Sequence, residues 1–298
     1  MAELSNRLGI PELMLKAVSV NNHSDGGALF TATQLCKPPR ILQLERRHKH
    51  ELQNDVSDFW NVFVGSSVHG NIYSALKDDE DFMLEKQFFI ELDGVKISGS
   101  PHCYHKESKT LYDHKTMQTS AFGLEAKPDY ERQLNIYAYI LENNGIPVER
   151  LMINAIYLDW RKAACKYADP AKYPMAPCKL VEVPRWSNQK IEEYIKERLA
   201  LHLAAEKETD ENLTPCEAEE MWERPAKYAV QRKQALKAMK LCDSETEARL
   251  YIRDKKLSMS DYTIIFRPGS RMRCEQYCSA APFCNKYIEW INNQGQQL

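Results

Sequence analysis

An aspartate and a lysine stand two residues apart in a segment that alternates like a β-strand. They are Asp113 and Lys115, within the run 110–116. Because successive side chains of a strand point to opposite faces, residues two apart share a face. A carboxylate beside an ammonium group suits metal-assisted phosphodiester hydrolysis, in which the acid binds Mg²⁺ or Mn²⁺ and the lysine steadies the nucleophile or the transition state. Taken alone, the pair is better explained as a solvated ion pair on an edge strand.

Two further pairs of residues have helical spacing. Gly65 and His69 are four residues apart, as are Gln133 and Tyr137, and residues four apart lie on one face of a helix. Glycine would allow a close approach of the first helix, so that His69 reaches a site. Each pair alone is better explained by packing, as a core histidine and as a half-buried helix face.

The elements predicted around these residues alternate between helices and strands. Asp93-Gly94 is a strong signal for a two-residue hairpin, and the three strands around it indicate an antiparallel meander. The order helix, meander, helix, strand is typical of an α/β fold. The predicted elements are a helix over about 56–77, strands over 85–92, 95–104 and 110–116, a helix over about 128–144, strands over 151–160 and 179–184, and a helix over about 188–207.

Taken in order, these features resemble the motifs of the PD-(D/E)XK nucleases, in their RecB-like branch. The similarity extends over roughly residues 30–285 and is strongest to the phage-type exonucleases of that superfamily. It implies a restriction-endonuclease-like core, which is a mixed sheet flanked by helices. It also implies metal-dependent cleavage of DNA, at single strands or ends, in recombination, repair or phage replication.

The resemblance assigns a role to each motif residue. His69 and Asp113 would hold Mg²⁺ or Mn²⁺, together with the main-chain carbonyl of His114, and Lys115 would be the catalytic lysine. Gln133 and Tyr137 would orient the DNA backbone or the lysine and are counted with the catalytic residues. Glu85 is a further candidate acid.

One position departs from the pattern. The family places a metal-binding aspartate where this chain has His102, after Gly99-Ser100-Pro101. Histidine is neutral at physiological pH and is a softer ligand, which suits Mn²⁺ or other transition metals better than Mg²⁺. Three interpretations follow: a site that works with Mn²⁺, a dead site on a fold kept for DNA binding, or an inactivating substitution made for study.

Three of the nine cysteines cluster near the C-terminus, as Cys274-x₃-Cys278-x₅-Cys284. Three thiolates need a fourth ligand to complete a zinc site or a [4Fe–4S] cluster. Some nucleases of the resembled branch carry an iron–sulfur cluster on one N-terminal and three C-terminal cysteines, which implies Cys36 as the fourth ligand. Zinc, or three free thiols, is the alternative. We expect the remaining cysteines to be ordinary core or surface residues. They are Cys103, Cys165, Cys178, Cys216 and Cys242.

The expected organisation has three parts. They are an N-terminal segment, 1–54, with Cys36, a nuclease core, 55–200, and a helical, cysteine-rich segment, 201–298. A cluster shared between the first and last parts would join the chain ends and contribute folding energy.

Composition limits the partners and the compartment. With a formal net charge of −2 over 298 residues, any DNA must be held by a local groove. No apolar run approaches the roughly 20 residues that span a bilayer, and the N-terminus lacks the features of a signal peptide. An odd cysteine count argues against a disulfide framework. A cytoplasmic protein, cellular or virus-encoded and without a membrane partner, is therefore expected.

Two basic stretches predict where single-stranded DNA would bind. The second is interleaved with Trp222 and Tyr228, and such mixtures let bases stack while phosphates pair with cations. Solvated basic helices remain the simpler explanation for any one residue. The two stretches comprise Arg40, Arg46, Arg47, His48, Lys49 and His50, then Lys227, Arg232, Lys233, Lys237 and Lys240.

The alternatives to a nuclease are two. A protein of the same fold could bind DNA without cutting it, for which His102 is the evidence. A structural iron–sulfur or zinc protein could act through partners alone. Recombination or replication proteins are the further partners that the nuclease hypothesis implies.

Overall fold

The chain forms two compact units in the computed structural model. The first comprises Met1–Pro39 and Gln53–Lys207, and the second comprises Arg40–Leu52 and Glu208–Leu298. The division therefore does not follow the three predicted segments, because residues 40–52 belong with the C-terminal part of the chain. The structure describes residues 5–18, 25–52, 55–235 and 237–295.

Helices and strands alternate along much of the chain. The helices are α1 Glu12–Val18, α2 Ala32–Cys36, α3 Pro39–Arg47, α4 Trp60–Leu76, α5 Pro128–Asn143, α6 Asn188–Lys207, α7 Glu245–Asp254, α8 Met272–Gln276 and α9 Asn285–Gly295. The strands are β1 Phe30–Thr31, β2 Phe82–Leu84, β3 Phe88–Leu92, β4 Val95–Gly99, β5 Cys103–His105, β6 Thr110–Met117, β7 Arg150–Tyr157, β8 Cys178–Val183, β9 Glu223–Arg224, β10 Lys227–Arg232, β11 Ala238–Cys242, β12 Tyr262–Arg267 and β13 Ser270–Arg271.

A five-stranded mixed sheet is the centre of the first unit. Its order is β2-β5-β6-β7-β8, in which β6 and β7 are parallel and every other pair is antiparallel. A parallel pair needs a crossover connection, and α5 provides it. Helices α4 and α5 both contact β6, so the predicted mixed sheet with flanking helices is confirmed.

The predicted three-stranded meander is wrong. The run 95–104 is two strands in two sheets, because β4 pairs with β3 and β1 whereas β5 pairs with β2 and β6. The break falls at Pro101, whose nitrogen has no hydrogen to donate to a ladder. The hairpin at Asp93-Gly94 is confirmed, since both residues have the left-handed φ of such a turn, 51° and 75°.

Helix α5 begins and ends where the sequence predicts. Pro128 occupies its first turn, where a missing N–H costs nothing. Gly145 follows the helix with φ +77° and donates its N–H to the carbonyl of Glu142 at 3.0 Å. Such a left-handed glycine is a usual helix stop.

The second unit combines a small sheet with several short helices. Strands β11-β10-β12 are antiparallel, and α7 packs on them through a buried cluster that includes Val230, Cys242 and Ile252. Helix α3 is held within this unit by His48, which stacks on Phe283 with ring centroids 4.1 Å apart.

Among the described residues, no helix has the length and apolar character that crossing a membrane requires.

Candidate active site

Strand β6 brings Asp113 and Lys115 to one face of the central sheet. Lys115 Nζ lies 2.8 Å from Asp113 Oδ2, and the side chain of Asp113 is only 1% exposed. Because β6 lies between β5 and β7, a solvated ion pair on an edge strand is the wrong explanation. The lysine also donates to Gln133 Oε1 at 3.2 Å and lies 4.7 Å above the ring of Tyr130.

His102 lies against the same carboxylate. It immediately precedes β5, whose first residue pairs with Tyr112, so His102 is brought opposite Asp113. The Nδ1 atom of His102 is 2.7 Å from Asp113 Oδ1. Neither oxygen of Asp113 accepts a hydrogen bond of good geometry from a described residue, so these contacts are close charge pairings rather than aligned hydrogen bonds. The buried carboxylate therefore retains the capacity to accept a further ligand.

His69 approaches the site from α4. Its Nε2 lies 3.1 Å from the main-chain oxygen of His114, and its ring meets that of His102 edge-on with centroids 4.2 Å apart. The predicted steric need for Gly65 is wrong. A Cβ there would lie 3.7 Å from Thr116 Oγ1, which is ordinary van der Waals contact.

The imidazole of His114 is a site residue that sequence reasoning missed. Only its carbonyl was considered, yet the ring lies 5.7 Å from His69 and 6.1 Å from His102, centroid to centroid. His114 is 8% exposed. Its Nδ1 is 3.2 Å from Asn154 Nδ2, and its Nε2 has no hydrogen-bond partner among the described residues. Strand alternation assigns its side chain to the face opposite Asp113 and Lys115, so the spacing gave no signal for the ring.

Burial and neighbouring charges set the ionisation of the site. Burial lowers the pKa of His114 to about 4, with His102 and His69 adding to the effect, and burial likewise lowers the pKa of His69. Burial alone would raise the pKa of Asp113, but Lys115 and His102 hold it below its ordinary value. At neutral pH the site therefore offers one carboxylate, together with the uncharged imidazoles of His69 and His114, the form in which histidine binds metals.

Helix α5 supplies Gln133 and Tyr137, which are linked to the lysine by hydrogen bonds. Gln133 Nε2 donates to the hydroxyl of Tyr137 at 3.1 Å and to Thr33 Oγ1 at 3.0 Å, while its carbonyl accepts from Lys115. Burial raises the pKa of Tyr137 to about 12, so its hydroxyl stays protonated. Gln133 is therefore hydrogen-bonded to both Lys115 and Tyr137.

Gly99 is the glycine that permits close packing near the site. A Cβ at Gly99 would lie 2.8 Å from Ile140 Cδ1 and 3.0 Å from Tyr137 Cδ1, so α5 rests on β4 only because the side chain is absent. Sequence reasoning placed the close approach at Gly65 instead.

Glu85 does not begin a strand, contrary to the prediction. It lies between β2 and β3 with φ 46° and an exposed side chain. Its main-chain N–H donates to the carbonyl of His102 at 3.2 Å, so its backbone helps to hold that residue.

The donor set suits a transition metal better than Mg²⁺. One carboxylate, several imidazole nitrogens and one carbonyl are available, whereas Mg²⁺ favours oxygen ligands and Mn²⁺ and later metals accept nitrogen. In the part of the chain that the structure describes, no three histidine, cysteine, aspartate or glutamate side chains already have the arrangement of a metal site.

The predicted cluster cysteines fall in both units. Cys36 ends α2 in the first unit, and Cys274, Cys278 and Cys284 belong to the second. All nine cysteines are free thiols in the structure.

Several of the predicted DNA-binding residues are engaged within the second unit, including Arg47, which pairs with Asp210, and Lys227, which pairs with Asp243. Arg40 is 2% exposed, which excludes it from a surface that contacts DNA directly. His48 is bonded to Asp210 and Glu51. Lys49, His50 and the cations of β10–β11 other than Lys227 are exposed.

Comparisons with known proteins give distant similarities. No protein-family model and no curated protein matches the chain. Among solved structures it is similar to SSO0001, at TM-score 0.45 and 19% identity over 64% of this chain and 85% of that one. It is also similar to an alkaline exonuclease, LHK-Exo, from Laribacter hongkongensis, at TM-score 0.35 and 14% identity over 58% and 87%. A phage-related exonuclease from Haemophilus somnus 129PT gives TM-score 0.30 and 12% identity over 68% and 87%. Similarities at these values do not support an argument about function. The functional argument therefore rests on the geometry of the site.

Proposed function

We propose that this protein is a metal-dependent DNA nuclease with a PD-(D/E)XK core of the RecB-like type. The supporting observation is the pairing of buried Asp113 with partly buried Lys115 on an inner strand of a mixed sheet. The helices that precede and follow this strand in the sequence, α4 and α5, contribute His69 and Gln133. A fold alone would not identify a substrate, but this combination of a buried acid, a positioned lysine and histidines suits phosphodiester hydrolysis.

Each residue has a role that follows from its position. Asp113, His69, His102 and the main-chain oxygen of His114 would hold a divalent cation. Such a cation would neutralise charge on the phosphate and make a bound water more acidic.

The lysine would act on the reacting groups directly. Its ammonium group is held between Asp113 and Gln133, so it is fixed where it can orient the nucleophile and stabilise the negative charge of the transition state.

We further propose that the metal is Mn²⁺ or another transition metal rather than Mg²⁺. The support is that His102, and not a second carboxylate, lies 2.7 Å from Asp113. Removing one negative oxygen ligand weakens a hard cation site more than a softer one.

DNA is the proposed substrate, cut at single strands or ends during recombination, repair or phage replication. The support is the set of exposed cations on the second unit, which would pair with phosphates. They are Lys49, Arg232, Lys233, Lys237 and Lys240.

The second candidate is a DNA-binding protein of the same fold that does not cut. The observation that favours it is again the contact of His102 with Asp113. With one carboxylate already paired to Lys115, the site could persist as an internal charge cluster without a metal.

A cleavage assay separates the two candidates. Labelled single- and double-stranded DNA is incubated with the chain in Mn²⁺ or Mg²⁺, beside Asp113→Asn and the exposed control Lys109→Ala. Cleavage that Asp113→Asn loses and Lys109→Ala keeps supports the nuclease. DNA binding without cleavage in either metal supports the binding protein, and failure to bind DNA at all would contradict both.

A further inference from the structure

A pocket in the second unit is lined by four cysteines. Three are the C-terminal Cys274, Cys278 and Cys284, and the fourth is Cys216, from the connection between α6 and β9. Sequence reasoning placed Cys216 among the scattered cysteines because 57 residues lie between it and Cys274. The rest of the lining includes the apolar Ile41, Leu44 and Met221 and the cationic Arg40 and Arg273.

We propose that Cys216, rather than Cys36, is the fourth ligand of a four-cysteine metal centre in the second unit. The centre would be a [4Fe–4S] cluster or Zn²⁺, both of which four thiolates can hold. This proposal stands apart from the proposed nuclease function, since it concerns other residues and holds whether or not the chain cuts DNA.

The first argument is an uncompensated buried cation beside the thiols. Arg40 is 2% exposed, and its Nε donates to Cys284 Sγ at 3.2 Å. Its other described acceptors are the side-chain oxygen of Asn285 and the carbonyls of Leu213 and Asp210, all of which are neutral. Within the described residues, no carboxylate forms an ion pair with Arg40.

A buried guanidinium without a counter-charge is unfavourable. Four thiolates outnumber the two positive charges of Zn²⁺ or of an oxidised [4Fe–4S] core, so the loaded centre is an anion. It would supply the negative charge that Arg40 lacks. Arg273, which lies over the ring of Trp222 and also lines the pocket, would add a second cation.

The second argument is that Cys36 is fixed in other surroundings. Arg198 on α6 donates to the carbonyls on both sides of Cys36, those of Leu35 at 2.8 Å and Lys37 at 2.7 Å. All three residues and α6 belong to the first unit. Burial raises the pKa of the Cys36 thiol to about 12, and the charges that act on it are Asp129 and cations of the same unit.

The surroundings of Cys216 are different. Burial raises the pKa of its thiol to about 12, and the next contributions are Glu220 and the three C-terminal cysteines. The free thiol of Cys216 is therefore protonated, and a metal must displace its proton on binding. Because the described cysteines do not already form a metal site, their side chains would turn inward around the centre.

Metal content measured on the full chain tests the proposal without reference to DNA cleavage. One sample is purified anaerobically and reconstituted with Fe²⁺ and sulfide, and another is loaded with Zn²⁺ alone. Bound metal per chain is measured by elemental analysis, with visible absorbance as a second readout for iron. The variants are Cys216→Ser, Cys36→Ser and the control Cys165→Ser, a partly exposed thiol of the first unit.

We expect Cys216→Ser to retain at most a tenth of the wild-type metal, while Cys36→Ser and Cys165→Ser load as the wild type does. Loading with either iron or zinc supports a four-cysteine centre and identifies its metal. Loss of metal in Cys36→Ser with retention in Cys216→Ser would overturn the proposal. So would a wild-type chain that binds neither metal.

A second measurement does not depend on the folding of a variant. The wild-type chain is treated with a thiol-alkylating reagent before and after metal loading, and each cysteine is followed by mass spectrometry. We expect metal-dependent protection at Cys216 and at the three C-terminal cysteines, with no metal-dependent change at Cys36. Protection that appears at Cys36 but not at Cys216 would show that the fourth ligand is misassigned.

Discussion

The site around Asp113 and the four-cysteine pocket differ in how their buried charges are compensated. Asp113 has Lys115 and His102 within 2.8 Å, so its charge is balanced by the chain itself. Among the described residues, Arg40 donates to main-chain carbonyls, to the side chain of Asn285 and to Cys284 Sγ, and to no carboxylate. A buried charge needs a partner, so the first site can form without a ligand whereas the second depends on one.

Removing the metal is the strongest way to test this difference. When a metal binds to a structural site of cysteines, its apparent binding free energy of roughly 10–16 kcal/mol stabilises the folded state. We expect a strong chelator to abolish hydrogen-exchange protection in α8 and α9 of the second unit while β6 and β7 of the first stay protected. Equal loss in both units, or none in either, would remove the distinction between the two sites.

Replacing the lysine tests the compensated site. We expect Lys115→Ala to lower the rate of DNA cleavage by roughly 10³-fold, because a fixed charge that stabilises the transition state is lost. The matched control is Lys109→Ala, whose lysine pairs with Glu149 at the surface and should leave the rate unchanged. Circular dichroism must show that both variants fold. Equal rates in the two variants would mean that Lys115 is only structural.

Replacing the buried arginine tests the uncompensated site. We expect Arg40→Met to lower the free energy of unfolding of the metal-loaded chain by about 3 kcal/mol, since charged hydrogen bonds and an ionic partner are both lost. Arg47→Met is the control, because Arg47 pairs with Asp210 partly in solvent and exposed pairs contribute about 1 kcal/mol or less. Denaturant unfolding measures both. An effect of Arg40→Met that is no larger than that of Arg47→Met would show that the loaded centre is not an ionic partner of Arg40.

Two glycines test how tightly the first site is packed. We expect Gly99→Ala to destabilise the first unit by about 2 kcal/mol through overpacking against α5. Gly65→Ala should instead be neutral or stabilise α4 by up to about 1 kcal/mol, because alanine has the higher helix propensity and there is room for its Cβ. Thermal unfolding measures both variants, and a reversed order would mean that α4, rather than α5, sets the packing.

The histidines of the two units should respond to pH in opposite directions. The pKa of His114 is lowered to about 4 by burial. The contribution of His114 to stability is therefore complete above its pKa in the unfolded chain, about 6.5, and is lost as the pH falls towards 4, because the unfolded chain binds more protons.

The pKa of His48 is raised by its hydrogen bonds to Asp210 and Glu51. Its contribution is complete below about 6.5 and is lost as the pH rises through the raised pKa.

Histidine resonances followed by NMR across this range measure both shifts. We expect His114 to titrate well below His48 in the metal-free chain. The opposite order would show that burial does not dominate at β6.

The sequence predicted the first site better than the second for a physical reason. Asp113, Lys115, Gln133 and Tyr137 lie on regular elements, where spacings of two and four residues fix which side chains share a face. The structure places Asp113 and Lys115 on one face of β6, as that periodicity requires, and the packing of α5 brings Gln133 to them. Spacing also predicted α5 and the hairpin at Asp93-Gly94.

What the sequence could not predict depends on turns and on distant parts of the chain. The kink at Pro101 divides one apparent strand between two sheets. Cys216 lines its pocket through a connection without regular structure, so no periodicity links it to the C-terminal cysteines. The close approach at Gly99 depends on how α5 packs, and spacing within one element contains no such information.

The metal preference of the site tests the central claim most directly. Cleavage of labelled single-stranded DNA would be measured in Mn²⁺ and in Mg²⁺ for this chain and for His102→Asp, with Lys115→Ala as the inactive reference. We predict that this chain cuts in Mn²⁺ far faster than in Mg²⁺, and that His102→Asp gains activity in Mg²⁺ because a second carboxylate restores an oxygen-rich site. If neither chain cuts in either metal while both remain folded, the nuclease role of Asp113 and Lys115 is contradicted.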